Sequence, residues 1–129
     1  MNAMRHSRTL CGLLDESVPH QVRAFLRHHG TYTAVYAGFK GFKNGALLKA
    51  VEDNGFDVLV TADQTLPYEQ NLKGRKLALV CISANSWKVV RPHVAQLVAI
   101  VDSAMPGSLT RVGTGAFVRR SRPPAQERG

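Results

Sequence analysis

Short apolar runs alternate along this chain with stretches in which apolar residues recur every three or four positions. Such runs are typical of strands buried on both faces, and the wider spacing is typical of helices with one apolar side. The alternation predicts an α/β domain built on a parallel sheet of four or five strands. The predicted strands cover residues 9–14, 31–37, 56–62, 77–82 and, at the edge of the sheet, 108–112.

Helical periodicity fills the segments between these runs. The predicted helices cover residues 19–29, 44–53 and 92–104, and a short helix or turn is predicted at 65–72. The first helix should bury Val22, Phe25 and Leu26 on one face. His28 and His29 fall in its last turn and could be ligands, but we prefer to interpret them as exposed residues or as charges that complement the helix C-terminus.

Acidic residues follow two of the predicted strands. Asp15 and Glu16 come directly after the first strand, and Asp63 comes directly after the third. Because right-handed crossovers make these strands parallel, the acids should share one edge of the sheet. Neighbouring carboxylates repel each other, and a hard cation such as Mg²⁺ relieves the repulsion while it orients phosphate and water. The alternative is that Asp15 and Asp63 cap helices or turns.

Composition limits the class of protein. The 129 residues suffice for one domain, and the formal charge of +8 favours a nucleic acid or an acidic protein as partner. We predict a flexible arm at residues 1–7, a folded domain at 8–113 and a disordered basic tail at 114–129. The chain has no apolar run long enough to span a membrane and no secretory leader pattern, which predicts a cytoplasmic protein with two reduced thiols, Cys11 and Cys81.

Three motifs together resemble a known family. Residues 13–19 read LLDESVP, residues 43–45 read KNG at the start of a helix, and residues 61–64 read TADQ at the end of a strand. In this order and at this spacing, over roughly residues 8–105, they resemble the PIN-like family of bacterial proteins called domain of unknown function 5615, which is related to Mut7-C and to PIN-domain toxins. The resemblance implies a Rossmann-like three-layer sandwich, a ribonuclease site built from acids around Mg²⁺ or Mn²⁺, and a role as the toxin of a toxin–antitoxin pair.

The resemblance also assigns roles to individual residues. Asp15 and Asp63 correspond to the metal-binding acids, and Glu16 corresponds to their acidic neighbour in the catalytic set. Asn44, the fourth catalytic candidate, stands where many relatives have an aspartate, so the site carries one negative charge fewer and should bind metal weakly. The candidates for binding substrate are Lys40, Lys43, Thr61, Gln64 and Arg75.

Two functions therefore compete. The first is a metal-dependent endoribonuclease that cleaves RNA and is inhibited by a cognate antitoxin. The second is a catalytically weak or inactive PIN-like module that binds RNA or a protein partner, including a second copy of itself. A receiver domain of the response-regulator type ranks last, because the chain lacks a lysine at the end of its last strand and has too few βα units.

Overall fold

A computed structural model describes residues 9–42, 44–63, 72 and 74–113. Its centre is one sheet of five parallel strands in the order β2-β1-β3-β4-β5. The strands are β1 Cys11–Leu14, β2 Gly30–Thr33, β3 Val58–Thr61, β4 Ala78–Ile82 and β5 Leu109–Val112. The predicted α/β fold with a parallel sheet of four or five strands is confirmed.

Helices connect the strands. They are α1 Ala34–Ala37, α2 Asn44–Asp53, α3 Trp87–Val90 and α4 Val94–Asp102, with 3-10 helices at His20–Leu26 and Arg91–His93. Helix α2 has the predicted bounds. The helix predicted at 92–104 is divided, because Pro92 lies in a 3-10 turn and has no N–H for a helical hydrogen bond.

Two apolar clusters cover the two faces of the sheet. On one face, Leu14 and Val60 pack with Val22 of the first 3-10 helix and with Leu97 of α4. On the other face, the neighbouring strand residues pack with helix α2. Because successive strand residues point to opposite faces, the central strands β1, β3 and β4 contribute to both clusters and read as continuous apolar runs. The result is a sheet flanked by helices, a Rossmann-like sandwich.

Two local predictions are wrong. The strand predicted at 31–37 ends at Thr33, whose side chain accepts a hydrogen bond from the Tyr36 N–H at 3.2 Å and starts α1 as an N-cap. The segment after Pro19 is a 3-10 helix, in which Val22 and Leu26 are buried but Phe25 is 45% exposed. The Phe25 ring lies at the rim of the core, 5.7 Å from the Trp87 ring.

Other sequence predictions concern the cysteines and the segments outside the described residues. Cys11 and Cys81 are free thiols, as predicted. The arm at 1–7, the turn or helix at 65–71 and the tail at 114–129 lie outside the described residues. Within residues 9–63 and 72–113 as described, no helix has the length and apolar character needed to cross a membrane.

Candidate functional site at the end of strands β1 and β3

The direction in which successive strands are added to the sheet reverses between β1 and β3, although all of the strands are parallel. From β1 the chain proceeds to β2 on one side, and it then crosses to β3 on the other side. In open parallel sheets, ligands bind beyond the carboxyl ends of the strands at such a reversal. Asp15 directly follows β1 there, and its N–H donates to the Val60 carbonyl of β3 at 2.9 Å. The acid therefore continues the β1–β3 pairing into the predicted site.

Two hydroxyl groups hold the Asp15 carboxylate. The buried Thr61 hydroxyl donates to Oδ2 at 2.6 Å, and the Ser17 hydroxyl donates to the same oxygen at 3.0 Å. Each hydroxyl also accepts a backbone N–H from the end of β3: Ala62 donates to Ser17 at 2.9 Å, and Asp63 donates to Thr61 at 3.0 Å. Since these N–H groups occupy a lone pair of each hydroxyl oxygen, the hydroxyl protons remain for Asp15. The carboxylate is thereby fixed in one orientation.

A tight turn brings Ser17 back over Asp15. The Val18 N–H donates to the Asp15 carbonyl at 3.0 Å, and the Val18 side chain is buried in the core. This turn explains why the motif LLDESVP follows a strand, since its acid and its hydroxyl must face the same strand end. Sequence reasoning selected Asp15 and Thr61 but missed Ser17, although the serine stands inside the quoted motif.

An open cleft of about 460 Å³ begins at Asp15. Glu16, His20 and Lys40 line it together with Asp15 and the residues that follow β2. The structure therefore brings the predicted residues Asp15, Glu16 and Lys40 together. A lysine beside two carboxylates gives the cleft both a group that attracts phosphate and groups that attract a cation.

Asp63 lies on the other side of Thr61, towards β4. The Cys81 thiol donates to the Asp63 carbonyl at 3.6 Å. Burial raises the pKa of Cys81 to about 11, with a lowering contribution from Arg111 and a further raising contribution from the Asp63 charge. Asp63 is not among the residues that line the cleft, and Asp15, Glu16 and Asp63 do not bring three ligand atoms within 4.8 Å of one another.

The remaining predicted residues are placed as follows. Arg75 lies before β4, at the N-terminal ends of the strands, whereas Asp15 lies at their C-terminal ends. The Arg75 Nη1 donates to Glu52 Oε1 at 2.7 Å. The Lys76 N–H donates to the other oxygen of Glu52 at 2.6 Å, so this group fastens the end of α2 and does not extend the cleft. Asn44 is the first residue of α2. Lys43 and Gln64 lie outside the described residues.

A second cluster was not identified from the sequence. The Nε2 atoms of His28 and His29 lie 2.6 and 2.7 Å from Asp102 Oδ1 at the end of α4. The ligand atoms of these three residues lie within 4.8 Å of one another, close enough for the group to hold a metal ion. The prediction of an exposed histidine is wrong for His29, whose side chain is only 2% exposed. Because His29 and Asp102 are 73 positions apart, no local pattern connects them.

The hydrogen bonds of His29 disfavour a metal at this cluster. The Leu10 N–H donates to His29 Nδ1 at 3.0 Å, so Nδ1 carries no proton and Nε2 donates to Asp102. A histidine that binds a metal through Nε2 ordinarily donates its Nδ1 proton to a neighbour. His29 would have to lose its Leu10 partner to do so. As folded, His28, His29 and Asp102 connect the segment before β2 to the end of α4, and we call this group the clasp.

Comparison with family models, with curated proteins and with solved structures finds no match to this chain.

Proposed function

We propose that this protein is a metal-dependent ribonuclease of PIN-like type and the toxin of a toxin–antitoxin pair. The observation that carries the proposal is the Asp15 carboxylate, which Thr61 and Ser17 hold at the reversal between β1 and β3, in an open cleft. A carboxylate held in this way is suited to binding a cation, because neutral hydroxyls orient it without neutralising its charge. The resemblance of the three sequence motifs to PIN-like proteins supports the same function.

The donor atoms at this strand edge suit Mg²⁺ or Mn²⁺. All of the candidate ligands offer oxygen, which these hard cations prefer. Mg²⁺ is usually held by only one or two carboxylates and completes its shell with water and substrate phosphate. Asp15 would therefore be the main protein ligand and Asp63 the second. When bound, the metal would lower the pKa of a coordinated water and make it a nucleophile at neutral pH.

Charge supports RNA as the substrate. The formal charge of +8 attracts a polyanion, and Lys40 places one positive group at the cleft beside Asp15. An antitoxin that inhibits the enzyme should carry an acidic segment over the same lysine.

The decisive experiment measures cleavage of structured and unstructured RNA with Mg²⁺, with Mn²⁺ and with a chelator. We expect cleavage that needs the metal and that the double variant Asp15→Asn, Asp63→Asn loses. Asp53→Asn is the matched control, because it removes an exposed carboxylate at the end of α2, which pairs with Lys49 and is not among the residues that line the cleft. Equal cleavage by the double variant and the wild type would show that the activity belongs to another site or to a contaminant.

A catalytically inactive binding module is the second candidate. Two observations favour it: Asn44 stands in place of an aspartate, and Asp63 is not among the residues that line the cleft. Calorimetry with Mn²⁺ separates the candidates. For a nuclease, Asn44→Asp should tighten metal binding and preserve or raise the rate. If neither protein binds Mn²⁺ even with RNA present, the binding module is the function.

A further inference from the structure

A second open cleft, also about 460 Å³, lies along the exposed edge strand β2. Arg23 and Arg27 line it together with His29 and the strand residues Gly30–Tyr32, and we call it the arginine cleft. The Arg23 Nε–H donates to the Thr31 carbonyl at 3.0 Å, which holds the guanidinium against the strand and covers that carbonyl from a further strand. Two arginines beside a strand edge, one of them already bound to an outward carbonyl of that strand, form a surface that fits phosphate.

Two exposed tyrosines continue this surface. The rings of Tyr32 and Tyr36 are nearly parallel, with an interplanar angle of 6° and centroids 5.8 Å apart. Tyr32 is 37% exposed and Tyr36 is 78% exposed, and Val35 beside them is 58% exposed. Large apolar groups that a domain leaves together in water mark a binding surface. Flat rings held in parallel planes offer faces on which unpaired bases stack.

Strand β2 joins this surface to the Asp15 cleft. Thr31 and Tyr32 line the arginine cleft, whereas Thr33 and Val35 line the cleft that contains Asp15. Residues two apart in a strand are separated by only about 7 Å. A single strand bound at the arginines and tyrosines therefore leads directly to the acidic site.

We infer that the β2 edge is a binding track for single-stranded RNA, with phosphates on Arg23 and Arg27 and bases on Tyr32 and Tyr36. The inference rests on the proposed function, because it supplies the substrate path for that site. A protein partner fits less well, since an acidic peptide would use the arginines but leave the exposed parallel rings unused. The described residues that line the arginine cleft include no acid, and the nearby Asp102 is engaged by His28 and His29.

The test is fluorescence anisotropy with a labelled single-stranded RNA that carries 2′-O-methyl groups, in buffer without divalent metal. The expected result for Tyr36→Ala is roughly tenfold weaker binding, because one base–aromatic stack is lost. Arg27→Gln should reduce the slope of log affinity against log salt by about 0.7, the value for one phosphate contact on a single strand. Arg111→Gln lies on β5, the outer strand on the other side of the sheet. It removes the same charge as Arg27→Gln and, as the control, should retain wild-type binding.

Several outcomes would overturn the inference. It fails if the wild type does not bind the probe, or if Tyr36→Ala and Arg27→Gln both bind like Arg111→Gln. It also fails if light scattering shows that Tyr36→Ala converts a dimer into a monomer while RNA affinity is unchanged, because the edge is then an interface between copies. Since the metal that the proposed cleavage requires is absent from the buffer, a failure of the nuclease proposal leaves this test unaffected. Binding that depends on Tyr36 without metal-dependent cleavage would refute the proposed activity alone.

Discussion

Asp15 and Asp102 are two carboxylates that the fold holds in a similar way but surrounds with different chemistry. One oxygen of Asp15 accepts hydrogen bonds from the Thr61 and Ser17 hydroxyls. One oxygen of Asp102 lies at hydrogen-bond distance from two imidazoles, those of His28 and His29. The first carboxylate lines an open cleft, and the second connects the end of α4 to the start of β2.

The partners decide what each carboxylate can do. Hydroxyls orient Asp15 and remain neutral, so its negative charge is available to a cation. The imidazoles of His28 and His29 already engage one oxygen of Asp102 through their Nε2 atoms, so this carboxylate is committed to contacts within the fold. Burial raises the pKa of Asp102, but the hydrogen bonds that the carboxylate accepts from His28 and His29 help to hold it below the usual value. Asp15 is thus suited to chemistry, and Asp102 to fastening the fold.

The largest effect is expected from Thr61→Val, which keeps the side-chain shape and removes the hydroxyl. Asp15 would lose its shortest hydrogen bond, and the Asp63 N–H would lose its acceptor. Removing a group that orients a metal ligand costs about 10- to 100-fold in activity or metal affinity. The measurement is metal-dependent RNA cleavage, with Thr110→Val on β5 as control. Full activity of Thr61→Val would mean that Asp15 needs no orientation for catalysis.

The clasp should respond in stability instead of activity. His29→Ala leaves the buried Leu10 N–H without its acceptor and removes a donor to Asp102, and leaving a buried group unpaired costs about 1–3 kcal/mol. His28 has a side chain that is 49% exposed, and exposed charge pairs contribute about 0–1 kcal/mol. Urea unfolding of both alanine variants measures the difference. If the two variants lose equal stability, His29 does not have the buried structural role assigned to it.

Acid should weaken the clasp. The folded pKa of Asp102 lies below its unfolded value, so its contribution to stability is present above that unfolded value and is lost as the pH falls through the folded pKa. The unfolded value is about 3.9, so the loss should appear below roughly pH 5. Glu52, whose pKa is also lowered, chiefly by the Lys76 N–H, acts in the same direction.

The measurement for this prediction is the urea midpoint across that acid range. Asp102→Asn should lose less stability on acidification than the wild type does, and Glu52→Gln should show a similar, separate reduction. The change for Asp102→Asn should be modest, because the carboxylate is 39% exposed and solvent screens it. An identical pH dependence in wild type and Asp102→Asn would contradict the coupling.

The smallest effect is expected when metal is offered to the clasp. Because Nδ1 of His29 accepts the Leu10 N–H, Zn²⁺ or Co²⁺ should give no high-affinity binding that depends on His29. Titration with Co²⁺, followed by its visible absorption, tests this in the wild type and in His29→Ala. A tetrahedral Co²⁺ spectrum that His29→Ala abolishes would establish the clasp as a metal site.

Local sequence pattern predicted much of the fold and the centre of the site. Apolar runs identified β1, β3 and β4, β-branched and aromatic residues indicated β2 with a wrong end, and three-to-four spacing located α2 with its bounds. The position of Asp15 directly after a buried strand indicated its place at the sheet edge. These features depend on periodicity, on burial and on the single direction of parallel strands, and neighbouring residues along the chain determine all three.

Side-chain direction was less predictable. Asp63 follows its strand as expected but does not line the cleft with Asp15, and Arg75 pairs with Glu52 beyond the N-terminal ends of the strands. The end of β2 at Thr33 depended on a single capping hydrogen bond. The placement of these side chains and the end of this strand depend on which partner group is within hydrogen-bond distance after the sheet has formed.

By itself the sequence determined a parallel α/β sheet, the positions of its central strands and an acid after β1. Only the tertiary structure decided that Ser17 and Thr61 orient this acid, that His29 fastens Asp102 from 73 residues away, and that arginines and tyrosines share the β2 edge. The physical reason is range. Periodicity records how a segment meets the core, whereas a hydrogen bond needs two atoms within about 3 Å, and distant segments reach that distance only after they pack.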